Sequence, residues 1–249
     1  MDPPRLQGRS APRAQRSRCT KRAALWRGAE TVAYGAGNRG PGEERAVAAV
    51  VLAAGMATRM GVLKQVLPVD GEPMVRRVVR TCLEADLAPV WVVTGYGAHA
   101  VAAALAGMPA TVRCVYNPRF ASGQAESLRA GVRAAAEAAA AGGGEEGGAA
   151  LAVLLADQPF VRPETLRRLV ELALEPGALA AAAFYGPGLP GPPCVLRRDL
   201  WSQVLALSGD RGARAVLLAA GDRVRVIGVD PAELRDIDQP DDLRPLEPR

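Results

Sequence analysis

Lysine is almost missing from this chain: Lys21 and Lys64 are the only two in 249 residues, and arginine supplies the positive charge elsewhere. Histidine occurs once, as His99, and aromatic residues make up 4%. One histidine, with no Cys-x-x-Cys pair among Cys19, Cys82, Cys114 and Cys194, leaves no zinc ligand set and no basis for histidine catalysis. The wide, irregular cysteine spacing suits reduced thiols and a cytoplasmic location rather than a disulfide framework. No charge-free apolar stretch reaches, in a helix-like context, the roughly 20 residues of a membrane-spanning helix, so no membrane association is expected. With few aromatics, a core must come from Ala, Val and Leu, and 49% hydrophobic residues supply enough of them.

The formal charge of +5 is unevenly spread. Residues 1–45 hold ten basic and four acidic residues, a net of +6, which leaves 21 basic and 22 acidic residues in the remainder, a net of −1. Nucleic-acid binding needs a clustered positive footprint, so the body of the chain is not expected to bind nucleic acid. Residues 1–45 are rich in Arg, Pro and Gly without apolar periodicity. They read as a disordered extension, with a start codon placed too early or an organelle transit peptide as alternatives. The domain is expected over residues 46–249.

From Ala46 onward, strand and helix patterns alternate. Strands are expected at Ala46–Ala53, Val90–Thr94, Thr111–Tyr116, Leu151–Leu155, Ala178–Tyr185 and Val224–Val229. Helices are expected at Pro73–Ala85, Ala98–Ala106, Glu126–Ala140, Pro163–Leu174, Leu200–Leu207 and Gly212–Ala220, with Pro73 and Pro163 at helix-compatible starts. Apolar strands alternating with helices specify an α/β fold, a mostly parallel sheet covered on both faces. The Gly- and Pro-rich stretch Gly186–Pro193 reads as a loop.

Five segments carry candidate chemistry. The first runs from Leu52, Ala53, Ala54 and Gly55 through Arg59 to Lys64, directly after an apolar strand. Small residues let backbone N–H groups approach phosphate oxygens, Arg59 forks across two oxygens, and Lys64 supplies a point charge. The run is neither a Walker A motif nor a G-x-G-x-x-G fingerprint. The second is Leu154-Leu155-Ala156-Asp157-Gln158-Pro159, which puts a carboxylate at the carboxyl edge of the sheet, where ligands bind. Asp157 suits Mg²⁺, an ion held by one or two carboxylates plus substrate phosphates; an Asx turn is the structural alternative. The third, Asp236-Ile237-Asp238-Gln239-Pro240-Asp241-Asp242, offers Asp238 as a second metal ligand, with Asp236 as fallback, or else an acidic helix start. The fourth, Asn117 to Leu128, feeds a Gly/Ser loop containing Gly123 into a helix N-terminus that carries Ser127, suited to reading a base edge or simply to capping. The fifth, Gly209-Asp210-Arg211-Gly212-Ala213-Arg214, offers two guanidinium groups to a phosphate or to solvent.

Taken in order, the stretches LAAGMATRMGVLK, QVLPVDGEPMV, NPRFASGQAESLRAG, LLADQPFVRPETL, GDRGAR and DIDQPDDL resemble the MobA-like nucleotidyltransferases, most closely the molybdenum cofactor cytidylyltransferases. The resemblance covers about residues 46–244. It implies a nucleotide-diphospho-sugar transferase-like fold and an enzyme that joins CTP to the molybdopterin form of the molybdenum cofactor with loss of pyrophosphate. By the same resemblance Arg59 and Lys64 neutralise the triphosphate, and Asp157 holds Mg²⁺ with Asp238 as partner. Leu52, Ala53, Ala54, Gly55, Gly123 and Ser127 line the base pocket. The product would pass to a molybdenum hydroxylase. Ala53-Ala54-Gly55 stands where guanylyl-transferring relatives usually carry Ala-Gly-Gly, which favours CTP over GTP. The family's Gly-His-Pro is replaced by Gly191-Pro192-Pro193, and proline donates no hydrogen bond, so the resemblance carries the nucleotide half further than the acceptor half. A sugar phosphate or phospholactate acceptor, GTP as donor, and a non-catalytic cofactor-insertion protein are the competing readings.

Overall fold

The computed structural model describes residues 47–56, 63–141, 148–184 and 189–237. The expected disordered extension, Arg59 and Asp238 lie outside the described residues. Nine strands are described: β1 (Ala48–Ala53), β2 (Pro68–Val69), β3 (Glu72–Pro73), β4 (Val90–Thr94), β5 (Val112–Tyr116), β6 (Ala150–Leu155), β7 (Ala180–Phe184), β8 (Pro190–Arg197) and β9 (Val224–Gly228). The α-helices are α1 (Met74–Glu84), α2 (Ala98–Ala104), α3 (Gln124–Ala141), α4 (Pro163–Ala173), α5 (Trp201–Leu205) and α6 (Ala213–Ala220).

Seven strands form one sheet in the order β5-β4-β1-β6-β8-β7-β9. All of them run parallel except β8, which pairs antiparallel with both β6 and β7. The α/β, mostly parallel architecture is as the strand–helix alternation predicts. Strand β8 is the difference: its first half spells Pro-Gly-Pro-Pro, which by sequence alone specifies a loop. The register shows why a strand tolerates this. Only Cys194–Arg197 pair with β6, so Pro190–Pro193 have a hydrogen-bonded neighbour on one side alone. The partner of β7 also jumps from Cys194 at Ala182 to Gly191 at Ala183, which leaves Pro192 and Pro193 in a bulge. Proline is confined to such edge-like and bulged positions because it brings no N–H to a ladder.

Alternation along β1 sorts the core. Ala49, Val51 and Ala53 face one cluster with Val75, Val78, Val79 and Cys82 of α1, Val101 of α2 and Leu166 and Leu169 of α4. Ala48 and Val50 face the other, with Leu128 and Val132 of α3, Trp201 of α5 and Leu217 of α6. Strands covered on both faces read as continuous apolar runs, which is why AAVVLA and ALAVLL were legible. Each fully buried Val or Leu contributes about 1.5–3 kcal/mol relative to exposure. Helix α3 lies close to the sheet: a Cβ on Gly131 would sit 2.5 Å from Val50 Cγ1 and 3.1 Å from Val93 Cγ2. Strands β2 and β3 form a small hairpin through Asp70 (φ +50°) and Gly71 (φ +81°), positive angles at both turn positions as a tight hairpin requires.

Candidate active site

Parallel strands β1, β4 and β6 lie side by side, so their carboxyl ends deliver three loops to one edge. Ala156 N donates to Leu52 O at 3.1 Å, which holds the start of the Asp157 loop against the end of β1. Lys64 arrives on a short 3-10 turn, Lys64–Val66. Its Nζ lies 2.8 Å from Asp157 Oδ2, 93 positions away in the chain. Both side chains remain partly open, at 14% and 24% exposure. The cation of the first segment and the carboxylate of the second therefore share one site.

Leu52 is half-buried, Ala53 and Ala54 are buried, and Gly55 is exposed. Gln65, which sequence reasoning passed over, donates from Nε2 to Gly55 O at 3.0 Å and is only 2% exposed. This amide ties the end of the β1 segment at Gly55 to the 3-10 turn that carries Lys64. Its neighbour relation to Lys64 was the one available signal.

The fourth segment reaches the same edge. A Cβ on Gly95, just past β4, would sit 2.5 Å from Phe120 Cβ and 3.0 Å from Ala54 Cβ, so Phe120 packs beside the end of the β1 loop. Asn117 donates from Nδ2 to Ser127 Oγ at 3.0 Å, and its Oδ1 accepts from Arg119 N at 2.9 Å. Ser127 is buried, at 6% exposure, and its hydroxyl braces the loop by accepting from Asn117. Gly123 has φ +106°, and a Cβ there would meet Gly209 C and O at 2.4 Å. Ala125 N donates to Gly209 O at 3.0 Å. The fourth and fifth segments are thus locked together, which no local pattern revealed. Arg211 and Arg214 are exposed on this joined wall. His99 is exposed on α2.

Of the third segment, Ile237 N donates to Asp157 O at 2.9 Å, and Asp236 Oδ1 accepts from Gln158 Nε2 at 2.9 Å. Asp236 therefore orders the loop beside Asp157. Among the described residues no group of three His, Cys, Asp or Glu side chains is arranged to hold a metal ion. Asp157, a hard oxygen donor at the sheet's carboxyl edge, fits Mg²⁺ held mainly by substrate phosphates and water, and the described residues do not form an all-protein cage.

Residues 49–224 match the MobA-like NTP transferase domain. The chain belongs to the MobA-like NTP transferases. PucB, a purine catabolism protein of Bacillus subtilis, is 33% identical over 78% of this chain and 92% of its own length. The bifunctional protein GlmU of Alkalilimnicola ehrlichii is 38% identical over 62% of this chain, which spans only 30% of that longer protein. Among solved structures, a nucleotidyl transferase from Methanothermobacter superposes with a TM-score of 0.65 at 31% identity, covering 79% of this chain and 94% of its own. Rv0371c of Mycobacterium tuberculosis superposes with a TM-score of 0.63 at 28% identity, covering 79% and 95%. This MobA-like transferase is a nucleotidyltransferase with the nucleotide-diphospho-sugar transferase fold. No helix among its described residues is long and apolar enough to cross a membrane.

Proposed function

We propose that the protein is a CTP:molybdenum cofactor cytidylyltransferase. The observation that carries a transferase site here is the 2.8 Å pairing of Lys64 Nζ with Asp157 Oδ2 at the carboxyl edge of β1 and β6. An ammonium and a carboxylate side by side suit, respectively, a phosphate and a divalent cation. In the reaction a terminal phosphate oxygen of the molybdopterin-form cofactor attacks the α-phosphorus of CTP. The bond from that phosphorus to the bridging oxygen breaks, and pyrophosphate leaves. Such transfers depend on positioning and charge neutralisation more than on covalent help.

In this reading Lys64 and Arg59 offset charge on the triphosphate and on the departing pyrophosphate. Asp157 holds Mg²⁺, with Asp238 as its partner, and the ion when bound supplies further charge neutralisation and orients the phosphates. Leu52 to Gly55, Gly123 and Ser127 form the base side, with Ser127 acting through Asn117. Structure determination of Rv0371c in complex with manganese supports a divalent-cation site in this fold. A molybdenum hydroxylase is the recipient in this reading, and the purine catabolism name of PucB supports a recipient that acts on purines.

The test is Mg²⁺-dependent pyrophosphate release from CTP, GTP, ATP and UTP separately, with molybdopterin-form cofactor as acceptor. Release with CTP alone is the expected result. Release with GTP, or with a sugar phosphate or phospholactate in place of the cofactor, would replace this reading by a transferase of other specificity. Cofactor binding without Mg²⁺ and without pyrophosphate release would favour an insertion protein.

A further inference from the structure

Glu233 is the most deeply buried carboxylate described, at 2% exposure, and it lies outside every motif recognised in the sequence. Helix α4 begins after Arg162, which provides no side-chain cap, and its first residue is Pro163. Glu233 reaches this helix start from the far end of the chain. Its Oε2 accepts from Thr165 Oγ1 at 2.6 Å and from Arg162 N at 3.2 Å. Its Oε1 lies 3.4 Å from Arg162 Nε. Two hydrogen-bond donors, the Arg162 guanidinium and the positive end of a helix compensate the buried charge. Segment 233–237 is then fastened stepwise along the loop that leads from Asp157 to α4. The Arg235 guanidinium carbon lies 4.9 Å from the Phe160 ring centroid, Asp236 accepts from Gln158, and Ile237 N donates to Asp157 O. Ile237 itself is fully buried with Val69, Met74 and Phe160.

We propose that Glu233 is a positioning residue for Asp157: its carboxylate anchors segment 233–237 to the start of α4, and that segment fixes the main chain at Asp157. The proposal rests on the nucleotidyltransferase reading of Asp157. Loss of the anchor frees the segment, so Asp157 and its Lys64 pairing lose their fixed place although neither side chain is altered. Direct hydrogen-bond partners of a metal-binding carboxylate are worth roughly 10–100-fold in affinity or activity, and Glu233, which acts through segment 233–237, is expected at the low end of that range.

The experiment compares wild type, E233Q, T165V and D157A in pyrophosphate release, thermal melting and amide hydrogen exchange of the peptide spanning 230–237. For E233Q we expect a roughly 10-fold or greater fall in kcat, less than twofold change in KM for the nucleotide, and faster exchange over 230–237. T165V, which keeps shape and removes one donor, should show the same pattern in weaker form, and it carries the test if E233Q does not fold. Wild-type kcat in folded E233Q or T165V with faster exchange would overturn the proposal, as would unchanged exchange. An inactive D157A beside a fully active E233Q sinks only the role of Glu233. An active D157A sinks the reading of the site itself. If wild type turns over no nucleotide, that reading fails and the exchange comparison alone decides whether Glu233 anchors the segment.

Discussion

Replacing Lys64 by alanine separates a catalytic ion pair from a structural one. At 2.8 Å and an effective dielectric constant near 20, the gross attraction between Lys64 and Asp157 is about 6 kcal/mol. Dehydration of the two groups offsets most of it, and both side chains keep some contact with water. Asp157 without its partner is therefore rehydrated rather than stranded, and the net loss of stability is about 1–2 kcal/mol. For a domain of this size that lowers Tm by roughly 2–8 °C. The effect on turnover is larger, because charge builds on the leaving pyrophosphate in the transition state and Lys64 is placed to offset it. Removing one such group costs on the order of 10³-fold in kcat/KM, about 4 kcal/mol. The assay is initial-rate pyrophosphate release by Lys64→Ala alongside a melting curve. A kcat/KM within tenfold of wild type would refute the assignment of Lys64 to the triphosphate. A fall of 15 °C or more in Tm, with activity per folded molecule retained, would make the pair structural.

Three further outcomes are expected. Gly131→Ala forces a methyl group against Val50 and should lower stability by about 1–3 kcal/mol in urea unfolding, with kcat unchanged at temperatures where the variant stays folded. Deletion of residues 1–44 should leave turnover unchanged in the same pyrophosphate assay, because the shift in net charge and apolar pattern falls at residue 45. Burial pushes the Cys194 thiol up to about 12 and the Cys82 thiol well above its ordinary value. Both are raised in the folded state, so their stabilising effect is complete below about pH 9 and is lost as pH climbs towards 12. Mass-mapped alkylation at pH 8 should modify exposed Cys114 and spare Cys82 and Cys194 until the protein unfolds.

The sequence by itself determined the parts that depend on local physics. Apolar runs such as Ala150–Leu155 specify buried strands, Pro163 marks a helix start, and a carboxylate just past a parallel strand belongs at a ligand-binding edge. The order of the six motif stretches sufficed for the family. Where local composition and tertiary context conflict, as in Pro190–Pro193, reading failed: proline forbids a two-sided ladder, but only the register shows that these residues need one neighbour alone. Tertiary structure alone decided which distant groups meet. Lys64 and Asp157, Gly123 and Gly209, and Thr165 and Glu233 are each separated by dozens of residues. Nothing in a one-dimensional pattern encodes a pairing that strand order creates, and a buried Glu233 looks in sequence like any solvated acid. Its role follows from the uncapped helix start that the fold sets beside it.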